Sequence, residues 1–300
     1  MIALWLRGVL AIFTIIALAQ YFSPYPKAAA LGVMGVFLAL HTGVVVASFV
    51  VTRRHTAETP LAPSFSLLTV VMIFFREWLA YLAFFIIIQP FECTWMGDEA
   101  SERLAPDSGA ALLIHGYMCN RGVWWWLRKK LRMNGFTVAT VNLEPPWGSI
   151  DVLADQLHAR IEFLCADMGA AQVALVAHSV GGLVARAYLR KHGPARVAKL
   201  VTLASPHYGT RVARYGIGKI AREMEPDSAW MRKSQLSKPD VPTLCIWSLS
   251  DNFIAPQISA RLAGARDEMV PALGHLTELF SPRVLEILVS ELAHRSDDQK

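Results

Sequence analysis

Charge is what this chain is short of. Lys, Arg, Asp and Glu make up 18% of its 300 residues, against about 25% in an ordinary soluble domain. With 54% hydrophobic residues, that excludes a disordered chain and a polar coiled coil. Cysteine is also sparse: four residues, at positions 93, 119, 165 and 245. They form no C-x-x-C pair and sit in no His-rich ligand spacing, which excludes a disulfide-stapled mini-domain and a zinc-finger pattern. A glycine-rich phosphate cradle is missing as well. No cofactor or metal ion is expected, and nucleic acid is not among the expected partners.

Long apolar runs are present instead. The first hundred residues hold 5 Lys/Arg and 5 Asp/Glu, so the formal net charge of +5 arises from 24 against 19 in residues 101–300. Three runs, 2–22, 28–51 and 66–91, each reach the roughly 20 residues that a helix needs to cross the hydrocarbon core. No small-residue cleavage site follows Ala17-Leu18-Ala19-Gln20, so the first run reads as an uncleaved anchor. Trp5, Tyr21, Phe22, Tyr25, Phe91 and Trp95 gather near the ends of the runs, as amphipathic rings at an interface do. Arg53 and Arg54 in the loop 52–65, against the acidic Glu92, Asp98 and Glu99, place the N-terminus and that loop inside. The large C-terminal part then lies outside, in the periplasm for a bacterial inner membrane.

Three ionisable residues fall near the middle of the second and third runs: His41, Arg76 and Glu77. Charges at that depth are costly and face a bundle interior or a cavity. Arg76 paired with Glu77, His41 or a backbone carbonyl is one reading; a polar path for a substrate or proton is the other.

From residue 110 the pattern changes. Short β-rich runs at 110–115, 136–143, 172–178, 198–204, 242–248 and 268–271 alternate with amphipathic stretches at 123–133, 150–168, 180–192 and 282–294. Such alternation predicts an α/β parallel sheet covered on both faces. The expected organisation is a three-helix anchor over 1–91, a linker over 92–109 and an α/β domain over 110–300.

Ala177-His178-Ser179-Val180-Gly181-Gly182 falls between a buried strand and a helix. A serine on a sharp strand-to-helix turn needs small residues two places before and after it, here Ala177 and Gly181. Capping of the helix by Ser179 is the rival reading. With this context, the segment 110–294 resembles the lipase/esterase group of the α/β-hydrolases. The resemblance covers none of residues 1–91, and the first glycine of G-x-S-x-G is alanine here.

The family order is serine, acid, histidine. It implies Ser179 as nucleophile, Asp251 in Ser248-Leu249-Ser250-Asp251 as the acid, and His275 in Gly274-His275-Leu276 as the base. Asp267 competes as the acid; His207 and His178 compete as the base. The resemblance also implies main-chain oxyanion donors at Val180 and at Tyr117, in the loop His115-Gly116-Tyr117-Met118. His115 and Gly116 are then expected to border the substrate. So are His207 and Tyr208 of Ser205-Pro206-His207-Tyr208-Gly209-Thr210, similar to the Pro-His-x-Gly-Thr turn of bacterial lipases.

The stretch 208–240 is too long for a plain connection and reads as a cap, with a helix over 213–224. Trp124-Trp125-Trp126, followed by Arg128, Lys129, Lys130 and Arg132, is either a packed helix with a solvated basic face or a helix lying on an anionic lipid surface. Cys93 and Cys119 would be able to bridge in an oxidising compartment. The function so implied is a membrane-anchored serine hydrolase of carboxylic esters, acting on a hydrophobic acyl or lipid substrate. The alternatives are acyl transfer on the same fold and a non-catalytic membrane assembly protein.

Overall fold

The computed structural model describes residues 1–20, 26–55, 65–98, 110–168, 171–235 and 240–294. Strands β1 (Ala110–Ile114), β2 (Thr137–Val141), β3 (Val173–His178), β4 (Val197–Leu203), β5 (Thr243–Trp247) and β6 (Arg266–Met269) form one parallel sheet in the order β2-β1-β3-β4-β5-β6. Side chains alternate between the faces of a strand. Leu112 and Ile114 of β1, in register with Leu175 and Ala177 of β3, enter one core with α6 (Ile150–Met168) and α7 (Val180–His192). Ala111 and Leu113, in register with Ala174 and Val176, enter the other with α5 (Trp125–Met133) and α10 (Pro282–Ala293). The chain runs from β1 outward to β2, then crosses to lay β3 on the other flank of β1. Connections diverge there, and open α/β sheets leave their crevice at such a switch point, beyond the carboxyl ends of the strands.

Ahead of the sheet stand α1 (Ile2–Ala19), α2 (Pro26–Arg54) and α3 (Leu67–Leu82), the last prolonged by a π-helical turn, Ala83–Ile88. All three segments are long and apolar enough to cross a membrane. Phe13 packs edge-on to Phe37 at 4.8 Å, and Trp78 Nε1 donates to Thr42 Oγ1 at 2.9 Å, joining the three helices. The His41 Nδ1–H donates to the Phe37 carbonyl at 2.8 Å.

These helices are not a separate body. Ala80, Phe84 and Ile88 belong to the same core as Leu127 and Leu288, and Phe84 stacks on Phe280 at 4.7 Å. Part of the expected linker is a further helix, α4 (Glu92–Met96), with Met96 in that core; 99–109 lie outside the described residues. The α-ammonium of Met1 bonds to Glu144, and Thr52 Oγ1 donates to the Asn252 carbonyl at 2.8 Å. The start of α1 and the end of α2 therefore lie against the α/β domain. Tyr21, Phe22 and Tyr25 fall outside the described residues.

The expected cap helix is broken in two: a 3-10 turn, Arg211–Tyr215, then α8 (Gly218–Glu223), followed by α9 (Ala229–Gln235). Gly218 explains the break. Its φ is +86°, and a Cβ there would sit 2.5 Å from Trp147. Cys93 and Cys119 are free thiols, the first exposed and the second buried. Trp124 is fully buried; Trp125 turns to Trp95, and Trp126 to Phe280.

Candidate active site

Ser179 stands between β3 and α7 with φ 56° and ψ −129°. Non-glycine residues avoid that region, so the surrounding packing must hold the bend. The Ser179 N–H donates to the Leu203 carbonyl at 2.8 Å, fixing the bend to the end of β4. Missing side chains do the rest. A Cβ on Gly181 would lie 2.7 Å from the Ile114 carbonyl oxygen, and one on Gly182 2.3 Å from Ser205 Oγ. At Gly116 it would lie 2.9 Å from the Cβ of Ser179, so the loop after β1 passes directly beside the serine.

Asp251 and His275 come from the loops after β5 and β6. His275 Nδ1 lies 2.8 Å from Asp251 Oδ2. The other carboxylate oxygen accepts from the N–H groups of Phe253 (2.7 Å) and Ile254 (2.9 Å). Asp251 can only accept, so Nδ1 carries the hydrogen and Nε2 is the basic nitrogen. Burial alone would push the imidazole down. The charge and hydrogen bond of Asp251, with the charge of Glu77, outweigh burial and hold His275 above the ordinary histidine value.

The rival acid and the rival bases occupy other places. Asp267 accepts from Trp247 Nε1 and Arg261 at the sheet edge. His178 adjoins the serine, and its Nε2–H donates to the His275 carbonyl at 3.1 Å, the rings 4.6 Å apart. Burial above all, and the neighbouring His275, keep it well below the ordinary value and so neutral. His207 is fully buried, its Nε2 3.0 Å from Thr202 Oγ1. It is packed against β4 and β5, with Cys245 Sγ 3.5 Å from Nε2, and its carbonyl accepts from Arg186 at 3.2 Å.

The loop expected to supply an oxyanion donor is tied on two sides. His115 Nε2 accepts from the Leu143 N–H and Nδ1–H donates to the Gly116 carbonyl, both at 3.0 Å. Both nitrogens thus serve backbone and none is left for a substrate. The Tyr117 hydroxyl donates to the Ile217 carbonyl and accepts from the Ile217 N–H, each at 2.8 Å, fastening the cap to this loop. Val180 opens α7, so its N–H is one of the donors that a helix leaves unpaired. Tyr208 lines a groove of about 390 Å³ with Arg211, Pro226, Pro256, Ile258 and Ser259, a set that includes none of Ser179, Asp251 and His275.

Residues from the apolar third hold this site from below. Glu77 does not pair with Arg76, which is exposed. Its carboxylate is fully buried and accepts from the N–H groups of Leu276 (2.9 Å) and Thr277 (3.0 Å), beside the base. Asn252 Nδ2 donates to Ser48 Oγ at 2.7 Å, and Asn252 Oδ1 accepts from the His275 N–H at 3.1 Å. The Asn120 N–H donates to Gln89 Oε1 at 2.8 Å, and Arg121 pairs with Glu92 at 2.6 Å. The polar residues 48, 77 and 89 inside the apolar runs, and Glu92 just past the third, were the sequence signal for this. Glu278 is buried close by, its oxygens without partners among the described residues. Burial first, then the charges of Asp251 and Glu77, raise it well above the ordinary carboxylate range. Among the described residues no three His, Cys, Asp or Glu side chains converge on a metal position.

A family model described as alpha/beta hydrolase fold matches residues 112–221. A triacylglycerol lipase of Pseudarthrobacter phenanthrenivorans is 32% identical over 98 residues, 31% of this chain and 29% of its own. One from Burkholderia plantarii is 32% identical over 98 residues, 31% of this chain and 26% of its own. The match thus spans less than a third of these relatives. Among solved structures, the mature Bacillus licheniformis lipase BlEst2 superposes with a TM-score of 0.57 at 15% identity, covering 64% of this chain and 94% of its own. Aspergillus fumigatus lipase B gives 0.54 at 17% identity, covering 62% and 52%. At such identities the structures speak for the fold alone. Residues 112–221 thus match the α/β-hydrolase fold, in a chain that is similar over part of its length to triacylglycerol lipases and has three preceding helices long and apolar enough to cross a membrane.

Proposed function

We propose that this protein is a membrane-anchored serine hydrolase that cleaves carboxylic esters of hydrophobic acyl compounds. The observation that carries the reading is the 2.8 Å pair of His275 Nδ1 and Asp251, packed against His178, the residue before a serine held at positive φ. Ser179 Oγ attacks the ester carbonyl carbon, and its proton passes to His275 Nε2. The N–H groups of Val180 and Tyr117 stabilise the oxyanion. Collapse of the tetrahedral species breaks the bond to the alcohol, which leaves with the proton from His275. Water, deprotonated by the same nitrogen, then releases the acid and restores Ser179. Hydrophobic substrates suit a site beside helices with exposed apolar faces, and the similar triacylglycerol lipases support an acyl ester.

Replacing Ser179 by alanine should lower turnover of p-nitrophenyl esters by about 10⁴-fold or more and abolish fluorophosphonate labelling. Unchanged turnover would end the reading. Products formed with added alcohols separate hydrolysis from transfer.

The site also has a side of the membrane. A membrane-impermeant fluorophosphonate reads it: labelling of Ser179 in intact cells puts the domain outside, as the charge asymmetry of the helix ends implies, and labelling only after permeabilisation puts it inside.

A further inference from the structure

We propose that the groove between α4 and α5 binds the phosphate-bearing headgroup of an anionic membrane lipid, whose acyl chains lie along the outward face of α3. The groove encloses about 400 Å³ and is lined by Trp95, Trp125, Arg128, Lys129, Arg132 and Met133. Three of its six lining residues are cations and none is acidic, which fits an anion and repels none. The guanidinium groups are held in place: Arg128 donates to the Met96 carbonyl at 3.3 Å and Arg132 to the Val138 carbonyl at 2.9 Å.

Position favours a lipid over a protein partner. Phe75, Leu79, Ile87 and Phe91 are exposed along the face of α3 that turns away from the sheet, and Arg76 is the charge on that face. This apolar stripe runs straight into the groove, because Trp95 Nε1 donates to the Ile87 carbonyl at 3.2 Å. Trp95 meets Trp125 edge-on at 5.3 Å, so two indoles stand where apolar face and cations join. Indoles prefer that level of a bilayer, and basic side chains beside it attract anionic headgroups.

The test uses the full chain, with Ser179→Ala to prevent turnover, in non-ionic detergent. Dihexanoyl phosphatidylglycerol is titrated below its micellar concentration while tryptophan emission is read. Saturable binding is expected, with dihexanoyl phosphatidylcholine markedly weaker and inorganic phosphate not competing. Each removed charge should weaken binding about fivefold, so R128Q/K129Q/R132Q loses about a hundredfold and Lys129→Gln alone about fivefold. The single variant alters one exposed side chain and keeps the test open if the triple variant fails to fold. Equal affinity for the two lipids, unchanged binding in Lys129→Gln, or displacement by inorganic phosphate would each overturn the proposal.

A second inference rests on the proposed function and on different contacts. The geometry points to Glu77 as a positioning residue for His275, reaching from an apolar helix into the loop that carries the base. Its two oxygens gather the N–H groups of Leu276 and Thr277, and a Cβ on Gly274 would lie 2.4 Å from one of them. The groups facing His275 are Asp251 at Nδ1, the His178 ring, Glu77 below and Glu278 one turn on. Glu77→Gln keeps the shape and removes the charge, so kcat/KM should fall about tenfold with KM little changed. The midpoint of the acid limb should move to lower pH, since one charge that favours imidazolium is gone. Glu77→Asp should keep the limb in place while losing rate. Loss of rate with no movement of the limb in Glu77→Gln would reduce Glu77 to a structural part. Fluorophosphonate labelling of the unaltered protein tests the hydrolase reading separately, so the two failures are distinguishable.

Discussion

At the scale of the residue, small size and charge do different work. Gly181 is defined by what it lacks, and Gly181→Ala drives a methyl into the Ile114 and His115 carbonyls. Overpacking of this kind costs about 1–3 kcal/mol or more, and thermal unfolding of the purified chain should show the loss. Asp251 works through charge. Asp251→Asn should lower kcat about 10⁴-fold by spoiling the imidazole tautomer. The sign of its pH effect follows from His275, which must be neutral to accept a proton. The anion raises the imidazole, so its loss carries the acid limb of kcat/KM to lower pH, as a pH–rate profile would show. The strand-end places of Ser179, Asp251 and His275 were legible in the sequence, because a local pattern points to each. Glu77 and Ser48 were not, since their partners lie 199 and 204 positions away. The ring contacts of His115 and His207 were not legible for a related reason: a motif gives a residue's place in a turn and is silent on which groups will claim its ring.

At the scale of the element, strands and long helices followed their apolar pattern closely. The Ile150–Met168 and Val180–His192 helices fall where the periodicity sets them. The cap and α4 escaped, one because Gly218 breaks its period, the other because five residues carry no period at all. What holds α4 is the ion pair of Glu92 with Arg121, the two side chains only 8% and 1% exposed. Removing one partner of a buried pair costs about 3–5 kcal/mol, whereas exchanging both for apolar groups is often neutral. Glu92→Leu alone should therefore destabilise the protein strongly, and Glu92→Leu with Arg121→Met should recover much of the loss. Denaturant midpoints of the single and double variants would decide it.

At the scale of the whole molecule, the helices ahead of the sheet are part of the hydrolase fold's core as well as candidate spans. A chain reduced to residues 98–300 would bare the surface that Phe84 and Ile88 cover, each worth about 1.5–3 kcal/mol when buried. It would also leave the loops at Asn120, Asn252 and Leu276 without their partners. Such a fragment should aggregate on expression and resist fluorophosphonate labelling, despite keeping Ser179, Asp251 and His275. A soluble, fully labelled fragment would show the helices to be dispensable.

The phenol of Tyr117 gives and receives at a single cap residue, Ile217. A latch with both hands engaged cannot slip; it opens only when the two bonds let go together. Because the latch is mounted on the very turn proposed to cradle the developing anion, lifting the cap tugs on that cradle. Under the proposed function, a mutation that breaks either bond should blunt the chemistry as well as loosen the cap.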